Sequence, residues 1–82
     1  MSQVKVLFFA SLREQTGTGE INLDAENLTE LYAQIEIQLG TQARQALQAE
    51  NIRIAVNQDL IERDVALRQG DEVAFLPPVT GG

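Results

Sequence analysis

The sequence predicts an α+β domain in which a mixed sheet curls over one main helix. Three observations predict it. Apolar residues stand at every second position in Val4, Val6 and Phe8, in Ile52, Ile54 and Val56, and in Val73 and Phe75, the period of strands with one buried face. Leu28, Leu31, Ile35 and Leu39 recur instead at helical intervals. The chain has 82 residues, room for one domain and one core, so strands and helix must share it.

The opening strand turns Val4, Val6, Phe8 and Ala10 inward and Lys5, Leu7, Phe9 and Ser11 outward. Its outward side is unusually apolar. Gly17-Thr18-Gly19 reads as a β-turn, because the helix with Lys and Ser or Thr that a phosphate-cradling loop requires does not follow it; residues 20–23 read as a second strand. Asn27 and Glu30 have capping-box spacing at the head of the helical stripe, Gly40 supplies its stop, and Tyr32 packs at its edge. A second, weaker helical turn is read over residues 41–50, with Ala43, Ala46 and Leu47 on one side. The third strand, around Ile54, is turned back by Asn57 and Gln58 into Leu60 and Ile61. Leu67 and the turn Gln69-Gly70-Asp71 then lead into the last strand. Asp59, Glu62 and Asp64 lack the glycine and closing glutamate of a calcium loop, and read as a solvated rim.

Composition narrows the function. A net charge of −6 argues against nucleic acid, whose binders neutralise phosphates with lysine and arginine, and suits a basic protein partner. Cysteine and histidine are both absent, so there is no thiolate nucleophile, no imidazole base and none of the usual zinc ligands. The expectation is a chain with no catalytic site of its own and no metal. No apolar run is long enough to span a bilayer. Val6 to Leu12 imitates a short signal sequence, but Arg13 and Glu14 stand where a cleavage site belongs; without disulfides to imply export, the expected location is cytoplasmic.

The stretch 71–82 is the most informative. Glu72 to Leu76 reads as a strand, and Pro77 and Pro78 end it, since proline cannot donate to a ladder and holds the residue before it extended. Val79, Thr80, Gly81 and Gly82 follow. Four extended residues span at most ~14 Å, enough to carry a terminal carboxylate into a neighbouring protein. Glycines without Cβ atoms suit a narrow channel.

This ending, with the opening Val4-Lys5-Val6-Leu7-Phe8-Phe9-Ala10 and the central Ala55-Val56-Asn57, resembles the small, sulfur-carrying subunits of molybdopterin synthase. These are the MoaD-type members of the ubiquitin-like β-grasp family, and the resemblance covers essentially the whole chain. It implies a β-grasp domain over 1–78 and a flexible tail over 79–82. It further implies that Gly82 is adenylated and then converted to a thiocarboxylate (1-thioglycine), with Gly81, Thr80 and Val79 as the tail in a partner's channel. The sulfur would go to cyclic pyranopterin monophosphate, forming the dithiolene of molybdopterin. The implied partners are the large synthase subunit in a heterotetramer, a ubiquitin-activating-like adenylating enzyme that consumes ATP, and a sulfurtransferase. No cofactor would be tightly bound.

In the resembled fold the first and last strands run parallel in the centre. Outward alternation then groups Leu7, Phe9 and Leu76, with Leu60 nearby, as an apolar docking surface. Phe9, Leu60 and Leu76 match the family's docking positions, Leu76 standing where phenylalanine is common. Thiamine-thiazole sulfur carriers share the fold and the Gly-Gly ending, whereas Pro77-Pro78-Val79 and the segment 41–50 lean toward molybdopterin. A ubiquitin-like modifier whose Gly82 is joined to lysines of other proteins is the alternative from another class.

Overall fold

A computed structural model describes residues 2–77; the expected tail, Val79, Thr80, Gly81 and Gly82, lies outside the described residues. β1 (Gln3–Phe8) carries the alternation read from the sequence, with Val4, Val6 and Phe8 buried and Leu7 half-buried on the other side. It ends sooner than the alternation suggests. Ala10 is exposed at a φ of 51°, and the chain enters a short helix, α1 (Ser11–Thr16), in place of a continuing strand. Leu12 and Thr16, four residues apart, form its buried face. Gly17 closes it in the left-handed conformation, its N–H donating to the carbonyl of Arg13 at 2.9 Å.

β2 (Glu20–Asp24) returns antiparallel to β1, pairing Leu23 with Val4 and Ile21 with Val6. α2 (Leu28–Leu39) is the main helix. Asn27 caps it as the spacing requires, its side-chain oxygen accepting the Glu30 N–H at 2.8 Å. The reciprocal half of the box is displaced by one residue, because the Glu30 carboxylate accepts the N–H of Glu26, not that of Asn27. After Gly40, α3 (Thr41–Leu47) buries Ala43 and Leu47 and stops short of residue 50. Glu36 fastens the two helices, accepting from the Thr41 hydroxyl at 3.0 Å and pairing with Arg44 at 2.9 Å. Those two contacts, Thr41 first, hold its carboxyl below the ordinary range.

β3 (Arg53–Val56), β4 (Asp59–Ile61) and β5 (Glu72–Leu76) complete a five-stranded sheet in the order β2-β1-β5-β3-β4. β1 and β5 run parallel, and every other pair is antiparallel. The last strand therefore lies at the centre, between the first and the third. Its inward residues, Val73 and Phe75, are fully buried beside Val6 and Phe8, with which they are in register. The Phe8 and Phe75 rings stack at 5.8 Å, and Tyr32 of α2 meets Phe75 at 5.9 Å. Leu31 and Ile35 of α2, Leu12 of α1 and Leu47 of α3 close the core from the helical side. Each such side chain contributes about 1.5–3 kcal/mol by leaving water. Tyr32 is a packing residue: burial, and then the nearby Asp64 carboxylate, push its phenol above the usual value.

Candidate functional site: an apolar row on the open face of the sheet

Strand register determines what the face away from the helices presents. Leu7 is opposite Ala74, Ala74 is opposite Ala55, and Ala55 is opposite Leu60. Directly paired residues point to the same side of a sheet, so these four make one line across β1, β5, β3 and β4. Large residues stand at its two ends and alanines in the middle, giving a trough two strands wide. One step further toward the end of β5, Leu76 is opposite Arg53. Phe9 follows β1 at the same end, its N–H donating to the carbonyl of Phe75 at 3.3 Å.

The three residues expected to dock a partner are thus brought to one face. Leu60 is 61% and Phe9 44% exposed, unusual for side chains of this size, whereas Leu76 is half-buried. Polar residues border the row. Glu20 is opposite Leu7, and in the neighbouring register row Asn22, Lys5 and Glu72 follow one another across β2, β1 and β5. Arg53 is the cation beside Leu76.

Two residues do more than their place in the sequence shows, Asn57 on this face and Asp64 at the head of α2. Asn57 and Gln58 both have positive φ, 51° and 74°, the twisted two-residue hairpin geometry that presents Leu60. Asn57 also clamps that hairpin to β5. Its N–H donates to the Glu72 carbonyl at 2.8 Å, its side-chain oxygen accepts the Glu72 N–H at 3.1 Å, and its amide donates to Asp71 at 3.0 Å. The Asp71 carboxyl is held low by that amide first, and by the Arg68 N–H. Asn57 was legible only as a turn residue.

Asp64 is the second. It stands exposed with Asp59 and Glu62, as a solvated rim requires, and in addition accepts from the Leu28 N–H and the Thr29 hydroxyl at the start of α2. Among the described residues no group of acidic side chains could hold a metal ion. A groove lined in part by Leu28, Tyr32, Ile54, Arg44 and Asp64 lies between α2, α3 and β3. Arg44 there is bound to Glu36 and Asp64 to α2, and with no cysteine or histidine in the chain it assembles neither thiolate nor imidazole. No helix among the described residues is long and apolar enough to cross a membrane.

Comparison with known proteins places the chain in one family. The ThiS family model matches residues 6–82. The molybdopterin synthase sulfur carrier subunit of Escherichia coli K12 is 44% identical over 81 residues, covering 96% of this chain and 99% of that protein. The corresponding Haemophilus influenzae subunit is 40% identical over 80 residues, with the same coverage. Among solved structures, small archaeal modifier protein 1 of Methanosarcina acetivorans superposes with a TM-score of 0.83 at 28% identity, covering 100% of this chain and 98% of that one. A chain from the complex of subunits 1 and 2 of the Helicobacter pylori molybdopterin-converting factor gives 0.73 at 30% identity, covering 98% and 99%. The chain belongs to the ThiS family of ubiquitin-like β-grasp proteins, and within it to the sulfur carrier subunits of molybdopterin synthase.

Proposed function

We propose that this chain carries sulfur on the carboxyl group of Gly82 and docks on a large synthase subunit through the row Leu7, Ala74, Ala55 and Leu60 with Phe9 and Leu76. The observation that carries the reading is the full-length likeness to sulfur carrier subunits, with the family match running through Gly81 and Gly82. The Helicobacter relative, solved as a complex of two subunits, supports a large-subunit partner.

The chemistry follows from what a carboxylate lacks. It is a poor electrophile and holds no sulfur, so a separate adenylating enzyme must first join it to AMP at the expense of ATP. A sulfurtransferase system then supplies sulfur, which displaces AMP and leaves the thiocarboxylate. On the large subunit that sulfur attacks cyclic pyranopterin monophosphate, and successive transfers build the dithiolene. In this reading residues 1–78 form the docking domain and 79–82 the tail in the partner's channel. The chain acts in the cytoplasm within a heterotetramer, holds no cofactor tightly and is an enzyme only as part of the synthase.

Intact-mass measurement on protein from cells with an active cofactor pathway tests it directly. The expected species is heavier than the unmodified chain by the exchange of one oxygen for sulfur. Deletion of Gly82 should leave folding and large-subunit binding unchanged and abolish both thiocarboxylate and molybdopterin. The tail would end ~3.5 Å short, and misplacement on the order of 1 Å can cost about a hundredfold. Normal cofactor synthesis by that variant would end the sulfur-carrier reading. The likeness to an archaeal modifier protein favours one second reading, attachment of Gly82 to lysines of other proteins. Recovery of such adducts, without free thiocarboxylate, would establish it.

A further inference from the structure

The chain contains one lysine, Lys5, against five arginines. Arginine stays protonated under all physiological conditions and is no nucleophile toward an acyl group, so Lys5 is the only side-chain amine the protein presents. It is exposed on β1, on the same face as the apolar row and two residues before Leu7, about 7 Å along the strand. It is opposite Asn22 on one side and Glu72 on the other. The function proposed above makes the chain an electrophile at its own C-terminus, so each activated copy meets this amine on every other copy.

We propose that Lys5 is the side-chain acceptor for self-conjugation, and that a large subunit seated on the apolar row covers it. The inference rests on the sulfur-carrier reading. The Lys5 amine, as free base, attacks the carbonyl carbon of the Gly82 acyl-adenylate of a second copy. The C–N bond forms, the C–O bond to the phosphate of AMP breaks with its electron pair leaving on AMP, and the nitrogen gives up one proton to water. Nothing is oxidised or reduced. The face that receives the partner then also protects the carrier from its own activated form.

The test uses the full chain with its adenylating enzyme and magnesium-ATP, without a sulfur donor. The expected product is a covalent dimer whose tryptic map carries residues 69–82, released by cleavage after Arg68, on Lys5. Lys5→Arg and Lys5→Gln should melt like the parent, support the same ATP–pyrophosphate exchange and lose that dimer. With the large subunit at about a hundred times its Kd, dimer formation should fall about a hundredfold. Exchange without a dimer, a dimer joined only through the α-amino group, or a dimer undiminished in the demonstrated complex would each overturn the proposal while leaving the carrier reading intact. Absence of exchange would overturn both.

Discussion

The Asp64 carboxylate accepts the backbone N–H of Leu28 at 2.8 Å, so the first turn of α2 is closed by a residue 36 positions later in the chain. Its other oxygen takes the Thr29 hydroxyl at 2.7 Å. These bonds satisfy donors that a helix N-terminus otherwise leaves open, and a negative charge there is favoured by the helix dipole. The Thr29 hydroxyl is the first cause of a carboxyl held below the ordinary Asp range, with the Leu28 N–H adding to it.

Replacing Asp64 with Ala should therefore cost about 0.5–2 kcal/mol at neutral pH, the range of a lost cap, read as a lower Tm. The pH dependence has a definite sign. Because the folded-state value is depressed, the stabilisation is complete above the unfolded value of about 4 and is lost as pH falls through the folded one. The stability gap between the parent and Asp64→Asn should be flat at neutral pH and narrow below about pH 4. A gap that widened on acidification would show that the carboxylate does not stabilise the fold.

Gln58 is a non-glycine residue at a φ of 74°, where an L side chain is strained by roughly 1–2 kcal/mol. Gln58→Gly converts the turn to Asn-Gly, the favoured sequence for this hairpin, and relieves the strain at some cost in unfolded-state entropy. The net expectation is a gain of about 0.5 kcal/mol by denaturant unfolding. Asn57→Ala should do the reverse, because it strips two side-chain bonds from the β5 clamp.

Phe9→Asp and Leu60→Asp should unfold close to the parent midpoint, since both side chains are exposed. Calorimetry against the large subunit should show each weakening association by about 1–3 kcal/mol, the scale of an interface anchor. Leu76 is half-buried, so its charged variant should lose stability as well as affinity. Unchanged affinity in the Phe9 and Leu60 variants would move the docking surface elsewhere.

Leu47 sits in a helix of seven residues, too short to stand alone in water, yet it is 1% exposed. Leu47→Ala should cost about 2–5 kcal/mol, as for other core truncations, and an equilibrium melt suffices to measure it. A loss under about 0.5 kcal/mol would mean that α3 is dispensable packing.

What the sequence revealed divides along physical lines. Val4, Val6 and Phe8, and the stripe Leu28, Leu31, Ile35 and Leu39, announced their elements because burial imposes a period on them. Phe9, Leu60 and Leu76 could be assigned outward for the same reason, and their convergence on one face needed only the strand order of the resembled fold. α1 went unread. Its six residues offer one Leu12–Thr16 pair, and its N-terminus has no side-chain cap to mark it. The work of Asp64 and Asn57 was invisible because their partners, Leu28 and Glu72, are brought to them by tertiary structure rather than by sequence spacing.

The central position of β5 has a consequence for synthesis on the ribosome. Residues 72–76 are translated after the other four strands, yet they fill the gap between β1 and β3, and β3 has no other neighbour but β4. Until that strand clears the exit tunnel, β1–β2 and β3–β4 remain two hairpins without a shared ladder, and two-stranded pieces are marginal in water. A nascent chain arrested before residue 72 should therefore be open to proteases along its whole length. A copy cut short before residue 72 therefore lacks the strand that unites its sheet as well as the Gly-Gly segment.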